Sequence, residues 1–154
     1  MRVLIAAFVA LVPAAVGSGT ITVGKGAAGI TLGMTKAQVV AKLGKPVYQN
    51  KNGYMQYATA SSVLFDVYLN TATNRVRLIG ISGKRFCTTA GVCMFRNGAL
   101  AKLKAQYGNV LKHVTLEDGE KVWQVNGTFG GRKVFTAFTP AAHGQIIMVF
   151  IGYL

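Results

Sequence analysis

The sequence predicts an α+β fold in which two tandem repeats each pack a short helix on an antiparallel β-sheet. Residues 28–46, AGITLGMTKAQVVAKLGKP, have the pattern of one short capped helix that stops at a glycine followed by a proline. A degenerate copy returns at residues 90–108, and three strand-like segments follow each copy. The strands are expected to join in one continuous or saddle-shaped sheet that carries the helices on one side.

Residues 1–17 are predicted to be an export signal, followed by a first repeat at residues 18–84 and a second at residues 85–154. Arg2 precedes an apolar run, and small residues fit a cleavage site before Ser18. The alternative is a buried helix or a membrane helix. A membrane helix needs about 20 apolar residues, whereas this run holds about 10 to 14. A secreted or cell-envelope location without a transmembrane anchor is therefore expected.

The first helix is expected to begin after Thr35, a good N-cap, and to end at Gly44, with Pro46 preventing continuation. A helix of about nine residues is marginal alone, so it must pack on a sheet. Alternating and β-branched residues then predict three strands. Their segments are GYMQYAT, SVLFDVYL and RVRLIGIS.

The second repeat is expected to follow the same order. Asn97 is the predicted N-cap of its helix, and Gly108 is the predicted end. Its three predicted strands are EKVWQVN, RKVFTAF and QIIMVFIGYL. The glycine-rich residues 24–29, GKGAAG, are expected to be a linker, because no strand and helix flank them to aim backbone amides at a phosphate.

The two cysteines, Cys87 and Cys93, are expected to form a disulfide, because export delivers the chain to an oxidising compartment. A metal site would need more ligands than two cysteines and two distant histidines. The spacing also differs from the C-x-x-C of redox enzymes. These alternatives remain open but are weaker than the disulfide.

The charge balance is strongly basic, with 17 Lys and Arg residues against 4 Asp and Glu residues and a net charge of +13. Such a protein is attracted to anionic partners such as a cell-wall polymer, a lipid surface or an acidic protein. Nucleic acid is the least natural of these for an exported chain, and no zinc-finger, RNP or helix-turn-helix pattern is present.

The sequence does not provide a catalytic set, so the protein is expected not to be an enzyme and to need no cofactor or metal. Three of its four acidic residues crowd into LEDGE, residues 116–120, which has the pattern of a solvated hairpin turn. A nucleophile elbow, a P-loop and an H-E-x-x-H motif are all absent from the sequence. His113 and His143 have no carboxylate within sequence reach and are expected to be surface residues.

The segment GITLGMTKAQVVAKLGKP resembles the opening helix motif of the SmpA/OmlA small lipoprotein family, with its Gly-Met-Thr start and its Leu-Gly-x-Pro end. The duplicated layout, with an export signal and a cystine inside one repeat, is similar to the β-lactamase inhibitory protein (BLIP) family. This resemblance implies two helix-plus-sheet repeats and a concave sheet that binds a protein. Unlike the lipoproteins, this chain has no cysteine after the signal to carry a lipid.

The same resemblance implies binding positions in loops and hairpin tips. Tyr54 and Tyr57 match the inhibitors' aromatic positions, but residues 51–53 lack the acidic residue that those inhibitors insert into an enzyme pocket. Phe129, in the glycine-rich turn GTFGG, is either an aromatic anchor on a flexible tip or a side chain folded over the sheet edge.

The open face of the first sheet is the remaining candidate site. It is expected to present Leu64, Asp66 and Tyr68 from one strand, with Arg75 and Arg77 from the next, because residues two apart share a face. Aromatic residues and arginine dominate protein-interface hot spots. In the alternative, the arginines only pair with Asp66 on a hydrated sheet.

The predicted function is a secreted, non-enzymatic protein-binding module, with inhibition of a secreted or cell-wall enzyme as one form of it. The first alternative is a structural envelope protein that adheres to an anionic cell-wall polymer through diffuse positive charge. The second alternative, a hydrolase, would require turnover of a cell-wall or lactam substrate.

Overall fold

The computed structural model describes residues 19–58 and 63–154. The predicted export signal at residues 1–17 lies outside the described residues. The strands are β1 (Gly19–Thr22), β2 (Gly26–Ala27), β3 (Ile30–Thr31), β4 (Tyr48–Gln49), β5 (Tyr54–Ala58), β6 (Leu64–Asn70), β7 (Arg75–Ser82), β8 (Phe86–Thr88), β9 (Leu111–Thr115), β10 (Lys121–Phe129), β11 (Arg132–Pro140) and β12 (Ile146–Tyr153). The helices are α1 (Lys36–Leu43) and α2 (Ala99–Tyr107).

The strands form two sheets. The larger is an antiparallel sheet of eight strands in the order β4-β5-β6-β7-β12-β11-β10-β9, so strands from the two halves of the chain meet where β7 pairs with β12. The smaller sheet has the order β3-β2-β1-β8, and in it β1 runs parallel to β8.

One face of the large sheet, called here the covered face, packs against the small sheet and both helices in one hydrophobic core. The ring of Phe65 in β6 stacks on that of Phe86 in β8, with 6.1 Å between ring centroids. The backbone N–H of Gly24 donates to the Oγ1 atom of the buried Thr136 in β11 at 2.7 Å. This bond satisfies a buried hydroxyl and fixes the β1–β2 turn on the large sheet.

The predicted start of α1 is confirmed. The N–H of Gln38 donates to Thr35 Oγ1, and the N–H of Thr35 donates to Gln38 Oε1 at 2.9 Å, which is a capping box. The helix buries Val39 and Leu43 in the core.

The predicted N-cap of α2 is wrong. Gly98 is the N-cap residue, and no side chain caps the helix. Asn97 instead accepts a hydrogen bond from Gln145 Nε2 at 2.8 Å, so its side chain joins the helix start to the loop before β12.

The predicted α+β fold of two helix-on-sheet repeats is also wrong. The described chain is mostly β, with twelve strands and two short helices, and one undivided core underlies the eight-stranded sheet. The small sheet covers part of the face that the helices were expected to cover alone, and residues 24–29 help to build it through β2 instead of acting as a linker. The domain boundary proposed at residues 84 and 85 stays a prediction.

The predicted disulfide is confirmed: Cys87 and Cys93 are bonded and close a short loop after β8. Within this loop the N–H of Val92 donates to the Oγ1 atom of the buried Thr88 at 3.1 Å. The loop therefore holds the end of β8 against the core, where Val92 and Met94 are also buried.

Candidate protein-binding face

The face of the large sheet opposite the core, called here the open face, is defined by cross-strand register. Tyr54 pairs with Tyr68, and Tyr68 pairs with Leu78. Gln56 pairs with Asp66 in the next row. Residues directly opposite each other in an antiparallel pair point to the same side, so these side chains share one surface. The predicted sharing of a face by Leu64, Asp66 and Tyr68 follows from the alternation of β6, in which all three are partly or fully exposed.

Three tyrosines form what we call the tyrosine patch, which consists of Tyr48, Tyr54 and Tyr68. The ring centroids of Tyr54 and Tyr68 are 5.0 Å apart, and those of Tyr48 and Tyr54 are 5.9 Å apart. Tilted rings at such separations attract one another beyond the area they bury. Tyr48 is 53% exposed, so the patch offers rigid aromatic surface to solvent.

Asp66 lies inside this patch, and its carboxylate accepts a hydrogen bond from Tyr54 Oη at 3.0 Å. Burial raises the pKa of Asp66 above its ordinary value, although hydrogen bonds from Tyr54 and Gln56 oppose the rise. Burial and the hydrogen bond to Asp66 raise the pKa of Tyr54 to about 12. The raised pKa values of Asp66 and Tyr54 have the same main cause, which is partial loss of contact with water. The Asp66 carboxylate is held there by neutral hydrogen-bond donors.

An apolar strip continues from the tyrosine patch across the middle of the open face, and it consists of Leu78, Phe135 and Phe150. These side chains are half-buried because two glycines let them lie flat on the backbone. A Cβ atom at Gly152 would lie 2.8 Å from Leu78 Cδ1 and 2.9 Å from Phe135 Cε1. A Cβ atom at Gly80 would lie 3.1 Å from Phe150 Cε1. Because Gly80 and Gly152 have no side chains, the neighbouring groups form a flat apolar surface on the central strands.

Exposed apolar surface is concentrated on one side of the open face. Leu64, two positions from Asp66 on β6, is 43% exposed, whereas Val122 and Ala137 are buried toward the opposite edge of the sheet. The apolar surface therefore extends from β4 to β12, and the exposed open-face residues beyond it, such as Lys112 and Asn126, are polar.

Of the predicted binding residues, Tyr54 and Tyr68 are brought together on the open face. Tyr57 lies on the covered face opposite Phe65 and is only 3% exposed, which removes it from the candidate site. Phe129, at the end of β10, packs partly buried against the core, 5.8 Å from Lys25 Nζ. Of the two expectations for Phe129, this placement agrees with the side chain folded over the sheet edge and not with the anchor on a flexible tip.

Arg75 and Arg77 lie beyond the apolar strip, at the start of β7. A bulge makes Leu69 pair with Val76 and Tyr68 with Leu78, which leaves Arg77 as the extra residue. Arg75 Nη1 donates to the backbone oxygen of Gly33 at 2.8 Å rather than pairing with Asp66. Both arginines line a cleft at the edge of the face.

The described residues contain no cluster of three or more His, Cys, Asp or Glu side chains that could hold a metal ion. His113 and His143 are both exposed, and His113 contacts Trp123 with 4.9 Å between ring centroids. Within residues 19–58 and 63–154, neither helix is long and apolar enough to span a membrane.

No protein-family model and no curated protein matches the sequence. The fold is similar to that in the crystal structure of YjgB, a DUF4309 family protein from Bacillus subtilis. That similarity has a TM-score of 0.56 at 18% sequence identity and covers 85% of this chain and 88% of that one. At this identity the likeness concerns the fold alone.

Sequence reasoning missed the apolar strip and Arg132, which lines the same cleft as Arg75 and Arg77. One signal for the strip was available in the sequence, because the predicted strands RVRLIGIS and QIIMVFIGYL each contain an Ile-Gly pair. A glycine inside a strand often marks close approach of another group to the backbone.

Proposed function

We propose that this chain is an exported, non-enzymatic protein-binding module that holds a partner protein against the open face of its large sheet. The observation that carries the proposal is the tyrosine patch around Asp66, which continues into the flat apolar strip. Aromatic side chains with few rotatable bonds lose little entropy when they are buried, and they are common hot-spot residues.

The electrostatics of the patch favour a partner that inserts a lysine or arginine side chain between the tyrosines. The Asp66 carboxylate supplies the opposite charge, and the tyrosine rings attract a cation through their faces. Burial already disfavours the ionised form of Asp66, as its raised pKa indicates. A basic group from the partner would therefore relieve an existing electrostatic cost while the interface excludes water.

The alternative, adhesion to an anionic envelope polymer through diffuse charge, draws its support from the net charge of +13. Diffuse attraction fades as salt shortens the screening length, whereas a packed interface loses mainly association rate. Retention measured from low salt to several hundred millimolar salt therefore separates the two functions.

The proposal is tested by capture from secreted and cell-wall fractions, using the wild-type protein and the variants Tyr68→Ala and Asp66→Asn as bait. Val110→Ala is the matched control, because Val110 is 59% exposed and lies outside the open face. Only a protein held by the wild type and the control, but lost with Tyr68→Ala, counts as the partner.

With the purified partner, Tyr68→Ala is expected to weaken binding by about 30-fold or more, as hot-spot truncation does, and Asp66→Asn by about tenfold. Circular dichroism confirms that each variant is folded. Equal retention of every captured protein by all four baits would overturn the proposal. An assay of any captured enzyme with and without the module then tests inhibition.

A further inference from the structure

Three arginines line the cleft at one end of the large sheet, where side chains of its two faces meet, and we call it the arginine cleft: Arg75, Arg77 and Arg132. The cleft has a volume of about 510 Å³, which is within the usual range for small-ligand sites. Tyr153 and Phe135 supply aromatic surface in the same lining. The cleft includes Leu78 and Phe135 of the apolar strip but no residue of the tyrosine patch.

Two of the three guanidinium groups are held in place by the fold. Arg75 Nη1 donates to Gly33 O, and the Arg132 guanidinium carbon lies 3.7 Å from the centroid of the Tyr153 ring. Arg77 is placed in the cleft by the β7 bulge. A guanidinium has five N–H donors, so each arginine keeps donors for a ligand after these contacts. Such preorganisation lowers the entropy lost on binding.

None of the described residues that line the cleft is acidic, so no lining side chain compensates its positive charge. Three of the four acidic residues of the chain lie at residues 117–120, in the connection between β9 and β10, and the fourth, Asp66, accepts the Tyr54 hydrogen bond. Three permanent positive charges in one cleft repel each other, and a bound anion converts this repulsion into attraction.

We propose that the arginine cleft binds the phosphate group of a phosphomonoester or phosphodiester. A carboxylate has two oxygens and is satisfied by one bidentate arginine, whereas a phosphate offers oxygens in several directions and can engage more than one guanidinium. Phe135 and Tyr153 contact the organic part of the ester. The cleft shares Leu78 and Phe135 with the apolar strip of the proposed protein-binding face. Its test uses only arginine variants and phosphate, whereas the protein-binding test uses Tyr68 and Asp66, so the failure of one proposal is distinguishable from the failure of the other.

The test uses ¹⁵N-labelled full-length protein titrated with inorganic phosphate and with glycerol 3-phosphate, at constant ionic strength. Acetate is the carboxylate probe. The variants are Arg77→Gln and Arg132→Gln. The control is Arg85→Gln, which makes the same change in net charge at an exposed position outside the cleft.

Amide shifts are expected at residues 75–78 and 132–135, with saturation by phosphate and much weaker response to acetate. Each cleft variant should weaken phosphate binding by about tenfold or more, while the control changes it less than about twofold. Displacement of bound inorganic phosphate by a phosphodiester polymer would show that the phosphate group recognised by the cleft lies on a polymer. If the polymer does not displace inorganic phosphate, the ligand is a small phosphate ester.

Three outcomes overturn the proposal: equal weakening in the control and the cleft variants, equal response to acetate and phosphate, or no saturable shift at the cleft. The amide spectra of the variants also report whether they are folded. A variant that fails this check is replaced by the corresponding Arg→Lys protein, which keeps the charge but loses the bidentate geometry and should still bind phosphate more weakly.

Discussion

At the scale of single residues, Asp66 shows how the tyrosine patch modifies a carboxylate. Its cross-strand neighbour Gln56 and the hydroxyl of Tyr54 act as neutral donors, and burial raises its pKa above the ordinary value. The folded state therefore binds a proton more tightly than the unfolded state does. A group of this kind stabilises the fold below its unfolded pKa and loses that contribution as pH rises through its folded pKa.

The Asp66→Asn variant is accordingly expected to be at least as stable as the wild type at pH 7. Asparagine keeps an acceptor for Tyr54 and removes the cost of ionisation. Below about pH 3, where the wild-type carboxyl group is mostly protonated in both states, the difference in the free energy of unfolding should disappear. Urea unfolding of both proteins at the two pH values measures this. A variant that is less stable by the same amount at both pH values would contradict the assigned cause.

At the scale of elements, the predictions succeeded where a local pattern carried the information. Thr35 and Gln38 form the capping box that begins α1, and α2 ends at Gly108 as predicted. The six predicted strands correspond to observed strands. They are long enough, and sufficiently β-branched, for alternation to identify them.

The elements that were missed are short or lack apolar periodicity. The strands β2, β3 and β4 have two residues each, and β1 is completed by parallel pairing with the distant β8. Pairing of this kind depends on tertiary contacts and leaves no local pattern. The α2 cap failed for the same reason, since the side chain of Asn97 bonds to Gln145 in a distant loop.

The capping box gives a prediction at this scale. Thr35→Ala should lower the free energy of unfolding by about 1 kcal/mol, because the N–H of Gln38 loses its acceptor at the start of a helix of only 8 residues. Thr35→Ser keeps the hydroxyl and should stay within about 0.5 kcal/mol of the wild type. Chemical denaturation of the three proteins measures both changes. A serine variant as unstable as the alanine variant would assign the loss to packing of the threonine methyl group.

At the scale of the whole molecule, the arrangement of strands separates the observed fold from two self-contained repeats. β7 and β12 pair through Ile79–Ile151 and Ile81–Val149, and all four of these side chains are buried. Buried residues of both halves, such as Phe65 and Phe138, belong to one core. Sequence periodicity identifies strands but does not determine how distant strands pair, so the candidate face was only partly predicted. Leu64, Asp66 and Tyr68 share the face because they alternate along one strand. Phe135 and Phe150 join the same face only through long-range strand pairing.

A shared core has a consequence for unfolding, because destabilisation of one half must be transmitted to the other. Trp123 is the single tryptophan and lies in β10, partly buried against the core with Lys104 Nζ 4.2 Å from its ring, so its fluorescence reports on the second half of the chain. Val67 lies in β6 of the first half and is fully buried.

Val67→Ala is expected to cost about 2 kcal/mol through lost burial and the cavity it leaves. If the chain unfolds as one unit, the Trp123 fluorescence transition moves to lower denaturant concentration by the full amount seen in far-ultraviolet circular dichroism. The exposed control Val110→Ala should leave both transitions within about 0.5 kcal/mol of the wild type. A Trp123 transition that stays in place while the circular dichroism splits into two steps would mean that the halves fold independently, in conflict with a continuous eight-stranded sheet over one core.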